Sequence, residues 1–280
     1  MQQCNFPVEI IINDDCSTDG TTEIIREYAE KYPDKIFPIF HEENLYSQGV
    51  RGMFQKFVFP KARGKYIALC EGDDYWTDPF KLQKQVDFLE SHPDYSMCCH
   101  ASTIKLHDTE WIKTYGDKED CNLLTKDVFL KGGEFIVTAS ICFRSDLLNG
   151  FSEFAEGCPV GDYPLQIWCA MHGKIRCLKD AMSVYRQGNL GSWTKRIEEN
   201  RYEQRTLFNR HLVWLTKALD RTENRNKCYL RRAIRQHKVN WALQLRDLRL
   251  LDCDFCGLLL FLYRVAKIII FAITKKINHL

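Results

Sequence analysis

Three carboxylates follow an apolar segment of this sequence. The β-branched and aromatic residues of Lys65–Cys70 predict a buried strand, and Glu71, Asp73 and Asp74 come directly after it. Acidic side chains this close repel one another, so the cluster is typical of a site for a hard cation that prefers oxygen ligands and carries a substrate phosphate. A solvated acidic turn before a helix with Asp78 as N-cap is the alternative. This segment alone leaves both open.

A second acidic pair, Asp14 and Asp15, follows the predicted strand Val8–Ile12. Ligands of open α/β sheets bind at the carboxyl ends of strands, so the two acidic groups are expected to converge on one ligand. One group would hold a metal and the other would hydrogen-bond a ribose or base. The sequence has no G-x-G-x-x-G and no G-x-x-x-x-G-K-[ST], so dinucleotide enzymes and P-loop NTPases are not supported.

Strand and helix patterns alternate along the first 195 residues, which predicts an α/β domain. Besides the two strands above, the predicted strands are 36–40, 95–99, 135–138, 141–143, 174–178 and 182–185. Helices are predicted from residue 24 to 32, over 53–59, from Pro79, and from Gly161-Asp162 to Gly173.

The charge is distributed unevenly. Residues 1–200 hold 22 Lys and Arg against 31 Asp and Glu, a net charge of −9, whereas residues 201–250 hold 13 against 4, a net charge of +9. The two regions are therefore expected to face different partners. The 13 cysteines are scattered without a second metal-binding pair, which favours buried thiols in a reducing cytosol. No signal peptide is predicted at the N-terminus.

Four motifs in order resemble those of family 2 glycosyltransferases with the GT-A fold, especially bacterial members that build surface polysaccharides. Ile11–Thr21 is similar to the family's first signature, and Gly64–Leu82 resembles its metal-binding "DxD" segment with the following helix. Gly161–Leu165 resembles the segment of the catalytic base. The pair Val184–Arg186 and Gly191–Trp193 resembles the end of the catalytic domain.

The resemblance implies a Rossmann-like, mostly parallel mixed sheet flanked by helices, and it implies a role for each motif residue. Asp73, assisted by Glu71 and Asp74, would hold Mg²⁺ or Mn²⁺ against the donor diphosphate. The resemblance also implies that Asp162 is the catalytic base and that Asp14, Asp15 and Asp73 form the nucleotide site. It implies an acceptor or lid contact for Trp76, Arg186 and Trp193.

The function implied is that of an inverting enzyme that moves a sugar from a nucleotide donor, with UDP-sugar favoured, to a hydroxyl of a glycan or lipid-linked acceptor. A nucleotidyl- or phosphotransferase using the same acids is the alternative. A second alternative is a non-catalytic nucleotide-sugar binding protein, because the family's usual first strand and most of its first helix have no counterpart in this sequence. Residues 1–7 resemble the end of that helix, so we expect Met1 to be an internal methionine of a longer protein.

The domain organisation expected is a truncated GT-A domain over 1–195, a basic helical extension over 196–255, and an amphipathic helix over 256–280. The extension suits anionic lipid or a lipid-diphosphate acceptor better than nucleic acid, because its aromatic residues are few. A solvated helical face is the alternative. In the last helix, Arg264 and Lys267 interrupt an apolar run. Placing these two charges in the membrane costs roughly 5–7 kcal/mol, whereas inserting the apolar residues gains about 3–7 kcal/mol. We therefore expect a helix lying in the interface, or packed on its own domain, and a peripheral location at the cytoplasmic face of the cell membrane.

Overall fold

The computed structural model describes residues 2–116, 119–188, 197, 199–251 and 255–277. The chain forms two compact units, residues 1–196 and 197–280. Trp193, predicted at the acceptor site, lies outside the described residues.

The first unit contains nine strands in its described part. They are β1 (Ile10–Asp14), β2 (Ile36–Phe40), β3 (Tyr66–Ala68), β4 (Tyr75–Trp76), β5 (Tyr95–Leu106), β6 (Thr109–Lys113), β7 (Cys121–Leu123), β8 (Cys142–Arg144) and β9 (Lys174–Gln187). Seven of them form one sheet in the order β3-β8-β5-β9-β4, with β6 on β5 and β7 on β9. The parallel pair β1–β2 forms a separate sheet.

Five helices accompany these strands. They are α1 (Thr21–Lys31), α2 (Lys81–Ser91), α3 (Thr125–Lys131), α4 (Phe151–Ala155) and α5 (Asp162–His172). The structure thus confirms the predicted α/β class with a mixed sheet flanked by helices. It is less parallel than expected, because β5–β9 and β1–β2 are parallel while the other described pairs are antiparallel.

The centre of the large sheet is the pair β5–β9. Residues Tyr95 to Thr103 of β5 are almost uniformly buried, since the strand lies between β8 and β9 and α2 and α5 pack against it. This explains why buried and exposed residues do not alternate along the strand. β9 continues unbroken through 174–187 where two strands were predicted, and the irregularity falls in its register with β5 near His100 and Ala101.

Three other local predictions differ from the structure. The predicted strand 135–138 is not formed, because Phe135 ends one 3₁₀ turn (Gly133–Phe135) and Thr138 begins another (Thr138–Ser140). The helix predicted over 53–59 is π-helical over Phe54–Val58 and continues as a 3₁₀ turn over Phe59–Lys61. Residues 2–9 form no helix; Gln2 and Asn5 instead hydrogen-bond to the start of α2.

The second unit is helical in its described part. Its helices are α6 (Arg201–Arg221), α7 (Asn224–Leu245) and α8 (Phe255–Ile277). Asn200 caps α6 by accepting hydrogen bonds from the backbone N–H groups of Tyr202 and Glu203. α6 and α7 pack as a hairpin around Trp214, Leu215 and Leu230, each at most 1% exposed.

In α8, the guanidinium of Arg264 donates a hydrogen bond to Asn240 of α7, while Leu258, Leu259, Leu262 and Tyr263 are exposed. Over the described residues, we find no helix with the length and apolarity needed to cross a membrane.

Candidate active site

The acidic loop Glu71–Asp74 connects β3 to β4 and is held at both ends. The backbone N–H of Asp74 donates to the Glu71 carbonyl at 3.0 Å, which closes a tight turn. Beyond the turn, Tyr75 and Trp76 pair with Val184 and Ser183 of β9. The loop is therefore fixed relative to the central sheet.

Arg186 of β9 clamps the same loop. Its backbone N–H donates to Asp74 Oδ1 at 3.0 Å, and its guanidinium donates to the Asp73 carbonyl. The sequence predicted an acceptor or lid contact for Arg186; the structure places it as a support of the predicted metal-binding loop.

Glu71 lies within electrostatic range of Asp162, ninety-one positions later in the sequence. Loss of hydration raises the pKa of Glu71 to about 8, and repulsion from the charges of Asp162, Asp74 and Asp73 adds to this. A hydrogen bond with Thr138 acts in the opposite direction and lowers the pKa. The structure thus gathers the acidic loop and the predicted base in one place. A carboxylate whose pKa is raised by burial and by neighbouring acidic groups is typical of active sites.

Asp162 begins α5 and is half-buried. Burial raises the pKa of its carboxyl above the usual value, and the charge of Glu134 adds to this, while backbone N–H groups at the helix start lower it. A carboxylate with a raised pKa is a stronger proton acceptor, which suits a general base.

Gly133 makes room for that carboxylate. A Cβ atom at residue 133 would lie 2.8 Å from Asp162 Oδ2 and 3.1 Å from the Cβ of Tyr163. Gln166 of α5 donates to the Gly133 carbonyl at 2.7 Å, which holds this backbone against the helix. Gly133 was not predicted from the sequence, because the Gly132-Gly133 pair indicates only a turn.

Asp74 supplies an oxygen suited to a cation. The residue is 8% exposed, and its Oδ2 atom has no hydrogen-bond partner in the described part of the structure. Burial raises the pKa of Asp74 to about 6, the Arg186 backbone hydrogen bond opposes this, and the negative charge of Asp73 adds to it. An unpaired buried carboxylate oxygen among like charges is stabilised by a bound cation.

The residues that the structure describes do not enclose a metal by themselves. Among the described residues, no three His, Cys, Asp or Glu side chains are arranged to hold an ion. Mg²⁺ is commonly held by one or two carboxylates together with substrate phosphates. The residues fit that mode of binding, with Asp73 and Asp74 as the protein's share and the donor diphosphate completing the shell.

Trp76 is anchored from both sides. Its Nε1–H donates to the Ala139 carbonyl at 2.9 Å, and the ammonium of Lys81 lies 4.1 Å from its ring centroid. Lys81 is fully buried, which lowers the pKa of its ammonium to about 8, and it donates to Gln85 at 2.8 Å. The indole predicted to contact the acceptor is thus part of a rigid support.

Asp14 and Asp15 do not contact the acidic loop through any hydrogen bond of the described residues. Asp14 is 4% exposed and accepts from the Ser17 and Thr22 hydroxyls, each at 2.5 Å. Burial alone would raise the pKa of Asp14, but those hydrogen bonds hold it below the usual value. Asp14 therefore shapes the loop between β1 and α1.

Asp15 binds a second loop. Its two carboxylate oxygens accept from the backbone N–H groups of Leu45 and Tyr46, each at 2.9 Å. The guanidinium of Arg51 lies 3.9 Å from the ring centroid of Tyr46 and donates to its carbonyl at 2.8 Å. Asp15 thus positions the segment that follows β2, a contact between residues thirty positions apart.

Comparisons with known proteins show the family of this chain. The model of the family described as glycosyl transferase family 2 matches residues 1–149. An uncharacterized protein of Mycobacterium tuberculosis is 38% identical over 200 residues, which cover 71% of this chain and 56% of that protein. An uncharacterized glycosyltransferase of Nostoc is 30% identical over 200 residues, covering 66% of this chain and 58% of that protein.

A shorter match concerns an enzyme of Escherichia coli. The UDP-Glc:alpha-D-GlcNAc-diphosphoundecaprenol beta-1,3-glucosyltransferase is 37% identical over 84 residues, 30% of this chain and 30% of that protein. The chain spans little more than half the length of the mycobacterial and Nostoc relatives. With the family model covering more than half of its residues, the chain belongs to glycosyl transferase family 2.

Proposed function

We propose that this protein transfers a sugar from a nucleotide-diphosphate-sugar to a hydroxyl of a glycan or lipid-linked acceptor in polysaccharide synthesis. The observation that carries the proposal is that Asp162 is close enough to the Glu71–Asp74 loop for its charge to raise the pKa of Glu71. A proton acceptor next to a candidate diphosphate site is what sugar transfer between these substrates requires.

Asp162 would accept the proton of the acceptor hydroxyl while the oxygen attacks the anomeric carbon. The carbon–oxygen bond to the acceptor forms as the bond to the nucleoside diphosphate breaks, and the leaving group keeps the electron pair. A single in-line displacement inverts the configuration at the anomeric carbon. The elevated pKa of Asp162 favours this role, since a stronger base takes the proton more readily.

The acidic loop would serve the diphosphate. Asp73 and Asp74, with Glu71 beside them, are the residues that would hold Mg²⁺ or Mn²⁺. Such an ion neutralises the charge that develops on the leaving phosphates. Arg186 keeps the loop in place through Asp74 and the Asp73 carbonyl.

The donor nucleotide would lie near the loops that Asp14 and Asp15 organise. A UDP-sugar donor and a lipid-linked diphosphate acceptor are favoured, because the Escherichia coli relative is named for both. The acceptor side would include Trp76, whose ring is fixed by Ala139 and Lys81.

We further propose a peripheral location at the cytoplasmic face of the membrane. Leu258, Leu259, Leu262 and Tyr263 are 44–57% exposed on α8, which suits a helix lying in the interface. Arg264 takes no part in this surface, since it hydrogen-bonds Asn240.

The decisive experiment compares the unaltered chain with Asp162→Asn in a donor screen that measures both sugar transfer and nucleoside diphosphate release. The variant should bind donor normally and lose about 10²–10⁴-fold in kcat. Release of inorganic pyrophosphate with nucleotidyl transfer would instead indicate a nucleotidyltransferase. Donor binding with equally negligible turnover in both proteins would indicate a non-catalytic binding protein.

A further inference from the structure

The helical unit contains a cavity of about 430 Å³ lined by four arginines. Arg201, Tyr202 and Arg205 come from the first turns of α6, and Arg246, Asp247 and Arg249 come from the segment after α7. The sequence predicted a basic surface over 201–250 that faces anionic lipid or a lipid-diphosphate acceptor, but no particular site, whereas the structure places four of its arginines around one cavity.

Asp247 organises two of the arginines. It is 8% exposed, forms an ion pair with Arg205, and accepts from Nε and Nη2 of Arg249 at 3.0 Å each. It also accepts from the Arg249 backbone N–H at 3.1 Å. Since one carboxylate faces four guanidinium groups, the lining keeps a net charge of +3.

The remaining arginines are placed by the backbone. The Arg201 guanidinium donates to the carbonyl of Leu245 at 2.5 Å, near the C-terminus of α7. Arg246 ends that helix in the left-handed conformation, with φ at 52°, which turns the chain toward α6. Two chain segments forty residues apart thereby present their guanidinium groups to one space.

We propose that this cavity binds a phosphate group carried by a lipid. Guanidinium groups match phosphate oxygens as paired, charge-assisted donors, and four of them around one carboxylate leave donors for an added anion. The Arg249 side chain is 84% exposed, so its outer N–H groups remain accessible to a ligand. The phosphate could come from an anionic phospholipid head group or from the diphosphate of a lipid-linked acceptor.

The pocket is tested by calorimetric titration of the full chain with inorganic pyrophosphate. The test variant combines Arg246→Asn with Arg249→Gln, because Asn tolerates the left-handed conformation at residue 246. The control combines Arg231→Gln with Arg232→Gln, two exposed residues of α7 outside the cavity lining, and it changes the net charge equally. Circular dichroism establishes whether each protein is folded. If the double variant is unfolded, the single variant Arg246→Asn is titrated in its place.

We expect the test variant to bind pyrophosphate about tenfold more weakly than the unaltered chain, with the control nearly unchanged. Equal weakening in both variants, no change in either, or no binding by the unaltered chain would overturn the proposal.

Vesicles separate the two phosphate sources. Phosphatidylcholine vesicles are prepared with either phosphatidylglycerol or a polyprenyl diphosphate at equal surface charge. Stronger binding to the phosphatidylglycerol vesicles that depends on the cavity arginines supports a head-group site. Stronger binding to the polyprenyl diphosphate vesicles that depends on them supports an acceptor site. Only the acceptor reading rests on the proposed function. Because pyrophosphate binding is measured without turnover, failure of this proposal and failure of the proposed activity are distinguishable.

Discussion

Gly133 and Asp162 are in such close contact that a methyl group on the glycine would lie 2.8 Å from the Oδ2 atom of the carboxylate. Real Cβ atoms do not approach oxygen this closely, so Asp162 must move when residue 133 has a side chain. The orientation of the proposed base is therefore set by a residue that carries no chemistry of its own.

We predict that Gly133→Ala lowers kcat by about 10–100-fold through a misplaced base, with little change in donor affinity. Steady-state kinetics and donor titration check the two quantities. Gly161→Ala is a matched control, because its added Cβ would meet only Gln55 Nε2 at 3.9 Å. An active Gly133→Ala variant, or the same loss in both variants, would contradict the assigned role.

Some parts of this site could be predicted from the sequence and others could not. The acidic loop after β3 and the start of α5 at Asp162 were predictable, because a β-branched run and a helix start are local signals. The approach of Glu71 to Asp162 was predictable only through family resemblance, since it depends on packing between residues far apart in sequence. The clamp by Arg186 uses its backbone N–H, for which no residue type is a signal.

The fold, too, could be predicted from the sequence only in part. The strands were found where apolar runs are continuous, but their pairing depends on tertiary contacts that periodicity does not encode. Residues 135–138 illustrate this, because this apolar run forms no strand and leads into a 3₁₀ turn whose Thr138 and Ala139 contact Glu71 and Trp76.

Asp15→Asn should weaken donor binding more than it lowers kcat. Both carboxylate oxygens accept backbone N–H groups, so an amide would place N–H against N–H at Leu45 or Tyr46 and release that loop. We expect the donor Kd to rise about tenfold, measured by titration. Asp19→Asn is the control, since Asp19 is exposed and its carboxylate bonds only Thr21 of its own turn. An unchanged Kd in Asp15→Asn would remove the loop from the donor site.

Metal removal should abolish sugar transfer. Without an added cation, the carboxylates of the acidic loop repel each other and the donor diphosphate, so chelation with EDTA should reduce turnover to background and Mn²⁺ or Mg²⁺ should restore it. Asp73→Asn should raise the metal concentration needed for half-maximal activity by about tenfold. Asp87→Asn, on the surface of α2, serves as the control. Full activity in EDTA would exclude the metal role.

The helical unit should lose stability as the solution is acidified below neutral pH. His237 stacks on Phe208 with ring centroids 5.1 Å apart, and burial lowers its pKa to about 4. The unfolded state has the ordinary pKa of about 6.5, so it binds a proton first and the free energy of unfolding falls between about pH 6.5 and 4.

The slope due to one such histidine is at most about 1.4 kcal/mol per pH unit. Denaturant unfolding of the full chain at several pH values measures it, and His237→Phe, which keeps the stacking, should flatten the curve relative to the unaltered chain. A variant curve parallel to that of the unaltered chain would show that His237 is not the group responsible.

The exposed apolar residues of α8 should control vesicle binding that persists in high salt. Leu259 and Leu262 are 49% and 54% exposed, so transferring them into the lipid interface gains apolar burial that salt does not screen. We expect Leu259→Ser with Leu262→Ser to weaken salt-resistant partitioning onto anionic vesicles by about tenfold or more. Val213→Ser with Ile24→Ser is the control, because both residues are exposed apolar side chains on other helices. Complete release of the unaltered protein by salt alone would show that charge, not the apolar face of α8, holds it at the membrane.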